Sequence, residues 1–271
     1  MIDNNRPIGV FDSGLGGLTA VRQLIKILPN EDIVYLGDTA RVPYGNKSKK
    51  AIIKFSTQNT LYLLKFKVKL IVLACNTSSS FALNRLKYNF KIPILGVITP
   101  GVKAALEVTR NKRIGIIGTN VTIDSNAYQN KIINADPSIK IFAKSCPLFV
   151  PIIEEGWLSG KITSSVIRKY LMPLKNAKID TLILGCTHYP LLKPAIRNIM
   201  GPGVKLIDSA KELAISVKQL MDKEGIACKR KTKGKARFYL SDKPYRFKST
   251  GEKFLGQEMS HVFSAKESEL G

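Results

Sequence analysis

Short β-branched apolar runs recur along this chain, each ending on a small residue followed by polar side chains. Leu70–Ser80 (LIVLACNTSSS) and Thr181–Pro190 (TLILGCTHYP) share one plan: four to five apolar residues, then Cys75-Asn76-Thr77 or Cys186-Thr187-His188. Continuous Ile, Val and Leu without alternation predict strands buried on both faces, as in parallel α/β sheets. Reactive groups in such sheets gather at the carboxyl ends of the strands, where both cysteines fall.

Reading in order, strands are predicted at Pro7–Phe11, Ile33–Leu36, Leu70–Leu73 and Pro93–Val97, and helices at Leu18–Leu28, Ala51–Lys65 and Ser78–Tyr88. This alternation predicts a parallel sheet with helices on both faces. After Thr99-Pro100-Gly101 the layout restarts. Arg113–Thr119 (RIGIIGT) matches Arg6–Ser13 when Ile114 is set on Ile8, a shift of 106 residues, and the two cysteines are 111 apart. Nearly equal shifts at strand ends indicate an internal duplication. Cys146–Trp157 leads out of a strand into a helix that carries Glu154. Val204–Ile207 closes the second half, a helix follows from Ala210 to Glu224, and Arg237–Leu240 (RFYL) reads as a further strand. The apolar residues of the last segment predict short helices returning to the first half. The expected organisation is thus α/β: two similar three-layer domains with mostly parallel sheets, 1–98 plus 209–271 and 99–208. If the halves face each other, Cys75 and Cys186 stand on opposite walls of one cleft.

Composition narrows the class. The 271 residues contain 44% hydrophobic side chains but no apolar run long enough to span a bilayer, and MIDNNRPIGVFDSG lacks a signal-peptide layout, so a cytoplasmic protein is expected. Its four cysteines form no CxxC, and only two histidines are present, so neither a metal site nor a disulfide framework is expected. A net charge of +23 is concentrated at 211–248, with 12 basic and four acidic residues, and at 47–69, with seven lysines and no acid. Such runs usually mark solvated faces; without a recognisable nucleic-acid motif, polyanion binding is the lesser reading.

The turn Asp12–Gly17 raises the question of a dinucleotide site, but GxGxxG fails at Thr19. The glycines instead suit an anion, such as a carboxylate, at a helix N-terminus. Asp12 reads either as a cap for that helix or as a partner for Cys75. His188, two residues from Cys186 on an extended chain, would lie on its side of the strand and could hold its proton. Two thiols facing across a cleft can remove a proton from one face of a carbon and return one to the other. A cysteine amidase would leave the second thiol without a role.

The segments IGVFDSGLGGLTAV, YLGDTARVPYG, ACNTSS, GTNVTIDSNAY, CPLFVPIIEEG and ILGCTHYPLL resemble the glutamate racemase family, in the aspartate/glutamate racemase superfamily, from about residue 7 to residue 256. The resemblance implies two α/β domains related by pseudo-twofold symmetry. It also implies cofactor-independent interconversion of L- and D-glutamate, supplying D-glutamate for bacterial peptidoglycan. Cys75 and Cys186 then match the two bases, and Asp12, Glu154 and His188 the residues that assist them. Substrate contacts fall on Asp12-Ser13, Tyr44-Gly45, Asn76-Thr77, Thr187-His188 and, as a further candidate, Thr119. His188 stands where aspartate racemases tend to carry an acidic residue, which favours glutamate. The alternatives are a racemase of aspartate or another acidic amino acid, and a two-domain amino-acid binding protein. A homodimer is a further expectation. Effects of some family members on DNA gyrase leave a nucleic-acid- or gyrase-related contact as a secondary use of the basic surface.

Overall fold

The computed structural model describes residues 4–242 and 247–265. The first part of the chain runs β1 (Ile8–Asp12), α1 (Leu18–Ile27), β2 (Ile33–Gly37), α2 (Lys49–Leu64), β3 (Leu70–Leu73), α3 (Asn76–Phe81), α4 (Leu83–Asn89), β4 (Ile94–Gly96) and α5 (Ile98–Val108). The second runs β5 (Arg113–Gly118), α6 (Asn120–Asp124), α7 (Ala127–Ala135), β6 (Lys140–Ser145), α8 (Phe149–Glu154), α9 (Lys161–Asn176), β7 (Thr181–Gly185), α10 (Lys193–Met200), β8 (Lys205–Asp208) and α11 (Ser209–Glu224). β9 (Ala236–Leu240), α12 (Phe247–Leu255) and β10 (Val262–Ser264) follow.

The strands form two sheets, β10-β9-β2-β1-β3-β4 and β6-β5-β7-β8, and every pairing within them is parallel. The fold is therefore α/β. The order β2-β1-β3-β4 recurs as β6-β5-β7-β8, and the register recurs with it. Ile8 pairs with Leu70 in one sheet and Ile114 with Thr181 in the other. Cys75 and Cys186 each lie five residues beyond those partners, so they stand at the same level of their sheets. Strands β1, β2, β3 and β7 are buried throughout, which is why their sequences run apolar without alternation.

Four local expectations need correction. Ser78–Tyr88 is two helices broken at Ala82, the first starting at Asn76 because Cys75 caps it, its Sγ accepting from Ser78 N–H. Ser80 Oγ donates to Asn76 O at 2.9 Å, the kind of back-bond that bends a helix. Thr99-Pro100-Gly101 lies inside α5; Pro100 falls in the first turn, where its missing N–H costs nothing. The closing segment contributes a strand as well as a helix: β10 pairs with β9, and Phe263 stacks on Tyr239 at 5.2 Å.

Finally, Lys69 does not belong to the exposed basic run. It is buried and meets Glu31 at 2.5 Å, and it also donates to Asn4 O (2.7 Å) and Ile226 O (3.0 Å). Glu31 in turn accepts Cys228 N–H, pinning the basic linker to the start of β2. Removing one partner of a buried ion pair strands the other charge. Lys69→Met should therefore lower stability by about 3–5 kcal/mol, read as a shifted urea midpoint; a shift within error would place this pair among the dispensable ones.

Candidate active site

At the carboxyl ends of β1, β3, β5 and β7 lies a cavity of about 420 Å³. Ser13, Tyr44, Gly45, Cys75, Asn76, Thr77, Thr119, Glu154, Cys186, Thr187 and His188 all line it. Of the residues singled out in the sequence, only Asp12 does not; it is fully buried behind the wall.

Asp12 explains the glycine-rich turn. Its Oδ2 accepts the amide hydrogens of Gly14 (3.1 Å) and Gly17 (2.9 Å), so the anion at the start of α1 is the chain's own carboxylate and not a ligand. Oδ1 has no partner among the described residues. Burial raises the Asp12 pKa, opposed by the His188 charge and by the amides of Gly17, Gly14 and Ser13. Around this anchor the turn comes hard against the other half. A Cβ on Gly16 would sit 2.1 Å from Thr187 Oγ1 and 2.5 Å from His188 Nδ1, distances only glycine avoids. Thr19 Oγ1, one turn further on, donates to Thr187 O at 2.8 Å.

The two thiols have different surroundings. Cys75 Sγ lies 3.8 Å from Ser13 Oγ and accepts from Ser78 N–H at 3.5 Å. Burial, and then the nearby Asp12 charge, push this thiol up to about 12. No hydrogen bond joins Asp12 to Cys75; the carboxylate acts through space. Cys186 Sγ lies 3.8 Å from His188 Nδ1, whose Nε2 meets Glu154 Oε1 at 2.9 Å. The pairing with Cys186 anticipated from the sequence is present, but by a different route. His188 has helical backbone angles and opens a 3-10 turn, so the chain curls the ring back instead of alternating along a strand. Burial alone would pull the imidazole down; hydrogen bonds to Cys186 and Glu154, and their charges, carry it up to about 10. The Phe254 ring of α12 stands edge-on to it at 5.2 Å.

The other polar groups are mostly positioned by side chains that sequence reading did not single out. Tyr128 on α7 donates to Asn76 Oδ1 at 2.7 Å across the two halves, while the buried Asn76 Nδ2 has no partner among the described residues. Thr77 and Thr119 share hydroxyl contacts with Thr122, at 3.0 Å each. The hydroxyl of Tyr44 is bonded to Asp38, and Asn59 donates to it, so this buried side chain offers the cavity its backbone and not its phenol. Asp38 also takes the Nε–H of Arg41, at 2.9 and 2.8 Å from its two oxygens. The same guanidinium donates through Nη1 to Gln58 and through Nη2 to Asn59, both on α2, so it ties the loop that carries Tyr44-Gly45 to that helix. Thr122 and Tyr128 sit within GTNVTIDSNAY, and Asp38 and Arg41 within YLGDTARVPYG, so their signal was motif membership without a role. All four cysteines are free, and the described residues contain no metal-ligating cluster of His, Cys, Asp or Glu.

This chain of repeated parallel sheets, with a thiol at each matched strand end, matches the family model of the Asp/Glu/Hydantoin racemases over residues 16–217. Two relatives carry the likeness over nearly the whole chain. A glutamate racemase of Neisseria meningitidis serogroup A is 47% identical, covering 96% of this chain and 97% of its own, and one of Geobacter metallireducens is 44% identical, covering 95% and 96%. The crystal structure of glutamate racemase from Francisella tularensis, in complex with D-glutamate, superposes with a TM-score of 0.92 at 43% identity, covering 98% of this chain and 99% of its own. The chain belongs to this family, in its glutamate racemase branch, and is an isomerase.

The raised His188 pKa has a direct signature. Its imidazole resonances should show no titration step through neutral pH and should move only as pH approaches about 10, in spectra of protein carrying ¹⁵N-histidine. Stability contributed by the charged ring is fully present below the ordinary histidine value of 6.5 and is lost as pH rises through about 10. A step at ordinary histidine pH would mean that the Glu154–His188–Cys186 chain does not hold in solution.

Proposed function

We propose that this protein interconverts L- and D-glutamate by direct proton exchange at Cα, with Cys75 and Cys186 as the two bases and no cofactor. The reading is carried by one observation: thiols at matched positions in two repeated sheets line the same cavity. One thiolate takes the α-hydrogen, and the thiol on the opposite wall delivers a proton to the other face. The configuration inverts, and the two thiols exchange protonation states.

Substrate recognition rests on neutral donors. Ser13, Asn76, Thr77, Thr119 and Thr187, with the backbone at Tyr44-Gly45, are suited to the two carboxylates, and the unpartnered Asn76 Nδ2 is a ready donor for one of them. Fixed donors in a closed cleft favour the carbanion-like transition state more than mobile water would. His188 and Glu154 assist Cys186. Asp12 acts on Cys75 from behind the wall, where it does not meet the two carboxylates of the substrate. The enzyme would work in the cytoplasm, where thiols stay reduced, and supply D-glutamate for peptidoglycan. Bodies 1–98 with 209–271 and 99–208 are the units whose relative movement would open the cleft.

Purified protein incubated with D-glutamate in deuterated water should yield L-glutamate carrying solvent deuterium at the α carbon. Cys75→Ala and Cys186→Ala should each lower turnover by at least about 10²–10⁴-fold, the span typical of positioned acid–base groups. Undiminished racemisation in either variant would remove that thiol from the mechanism. Glutamate binding without exchange at Cα would support an amino-acid binding protein instead.

The pH profile of kcat/KM should be bell-shaped, because one thiol must be ionised while the other keeps its proton. A rate rising monotonically into alkali would contradict that requirement.

A further inference from the structure

Racemisation leaves one surface of the first half without a role. Residues 47–69 hold seven lysines and no acid, and residues 229–237 hold six basic side chains and no acid. Lys69 is spent on Glu31, and Arg230 on Asp32. The fold gathers several of the others. Lys50, Lys54, Leu61 and Lys65 recur at helical spacing on the exposed side of α2, a stripe about 22 Å long. Leu61 stands among those lysines with 51% of its surface open.

At the end of α2 the stripe meets the edge of the first sheet. Phe238 of β9 faces the main core, whereas Tyr239 packs with Tyr62 and Phe66 on the α2 side. There a run of rings climbs out of the interior. Tyr62 is 3% exposed, Phe66 and Tyr239 are half-buried, and Phe263 is 42% exposed, with successive centroids 5.5, 4.7 and 5.2 Å apart. Cations border the run. Lys65 Nζ lies 5.5 Å from the Tyr62 ring centre, and the exposed Arg237 guanidinium 5.9 Å from that of Phe66. Asp32, the acid on whose ionisation Arg237 acts, is already paired with Arg230.

We propose that this surface binds single-stranded nucleic acid, its phosphates along the α2 lysines and Arg237 and a base on the Phe263–Tyr239 stack. A cationic track beside open aromatic rings is the combination that holds single strands without reading their sequence. The rings select this partner over others. An acidic protein or polyphosphate would use the lysines and leave the stack idle, and a duplex keeps its base faces to itself. The rings come from the end of α2, from β9 and from β10, so no contiguous motif announces them. None of these residues lines the catalytic cavity, and the surface is independent of the racemase reading.

Fluorescence anisotropy of a labelled oligothymidylate of about 16 nucleotides, titrated with the full-length protein, is the test. Binding should weaken from about 50 to about 200 mM salt, with log K falling by about 0.7 per unit of log salt for each phosphate neutralised. Lys54→Gln should reduce that slope by about 0.7. Phe263→Ala should weaken binding at least about fivefold and leave the slope unchanged. Both side chains are exposed, and an unaltered urea midpoint in each variant shows that the fold is kept. Three results would overturn the proposal: no binding at about 10⁻⁴ M protein in low salt, an affinity indifferent to Phe263→Ala, or equal competition by polyglutamate of the same charge. The last would mark a surface for acidic protein instead.

Discussion

A carboxylate that ties down its own turn is the constraint on which the cleft depends. Asp12 at the end of β1 draws in the amides of Gly14 and Gly17, and the tightened turn presents Gly16 edge-first to Thr187 and His188. No other residue permits that approach, since any Cβ would overlap two side chains of the opposite half. The contact between halves at this point is therefore one backbone thick. Through it the carboxylate and the imidazole are close enough to influence each other's ionisation, although no hydrogen bond joins them. Packing and electrostatics have the same origin here: a buried anion fixes a turn, and the turn brings the charges of the two halves together.

The second organising choice is to keep cations out of the cleft. The chain carries +23, yet Arg41, on the loop beside the cavity, is committed to Asp38, and Lys69 is committed to Glu31 in the core. The cavity's lining contains no Lys or Arg: its polar groups are hydroxyl, amide, backbone, thiol, Glu155 and the His188–Glu154 pair, set among apolar side chains such as Leu15, Val42 and Val150. A fixed ammonium or guanidinium there would stabilise thiolates indiscriminately and erase any difference between the two walls. Neutral donors can hold carboxylates without doing so. A basic surface can raise the local concentration of an anionic substrate by long-range attraction without entering the cleft.

Much of this was legible in the sequence because buried parallel strands leave an unmistakable mark. The runs at Leu70–Leu73 and Thr181–Gly185 were bounded correctly from their apolar character alone, and the 106- and 111-residue shifts anticipated a repeat that the strand register now displays. What escaped was set by tertiary context. The break at Ala82 arises from serine back-bonding, the burial of Lys69 from a glutamate far away in the chain, and the strand at Val262–Ser264 from an edge that only the folded sheet provides. Tyr128, Thr122 and Asp38 act through partners on other elements, so no spacing in the sequence could assign them. The Cys186–His188 pairing was anticipated for the wrong geometric reason: adjacency in a turn and alternation along a strand both bring residues two apart together.

The closing segment gives the fold an order in time. β9 and β10 complete the first sheet beside β2, and Phe254 of α12 supplies the ring that abuts His188. The second sheet, by contrast, is contiguous from Arg113 to Asp208. On a ribosome, where domains fold as their chain emerges, the sheet bearing Cys186 can close while the sheet bearing Cys75 still lacks two strands. Both thiols are thus made well before the wall around His188 is finished. A truncated or stalled chain carries the two thiols without the last strands of the first sheet and without the Phe254 ring beside His188.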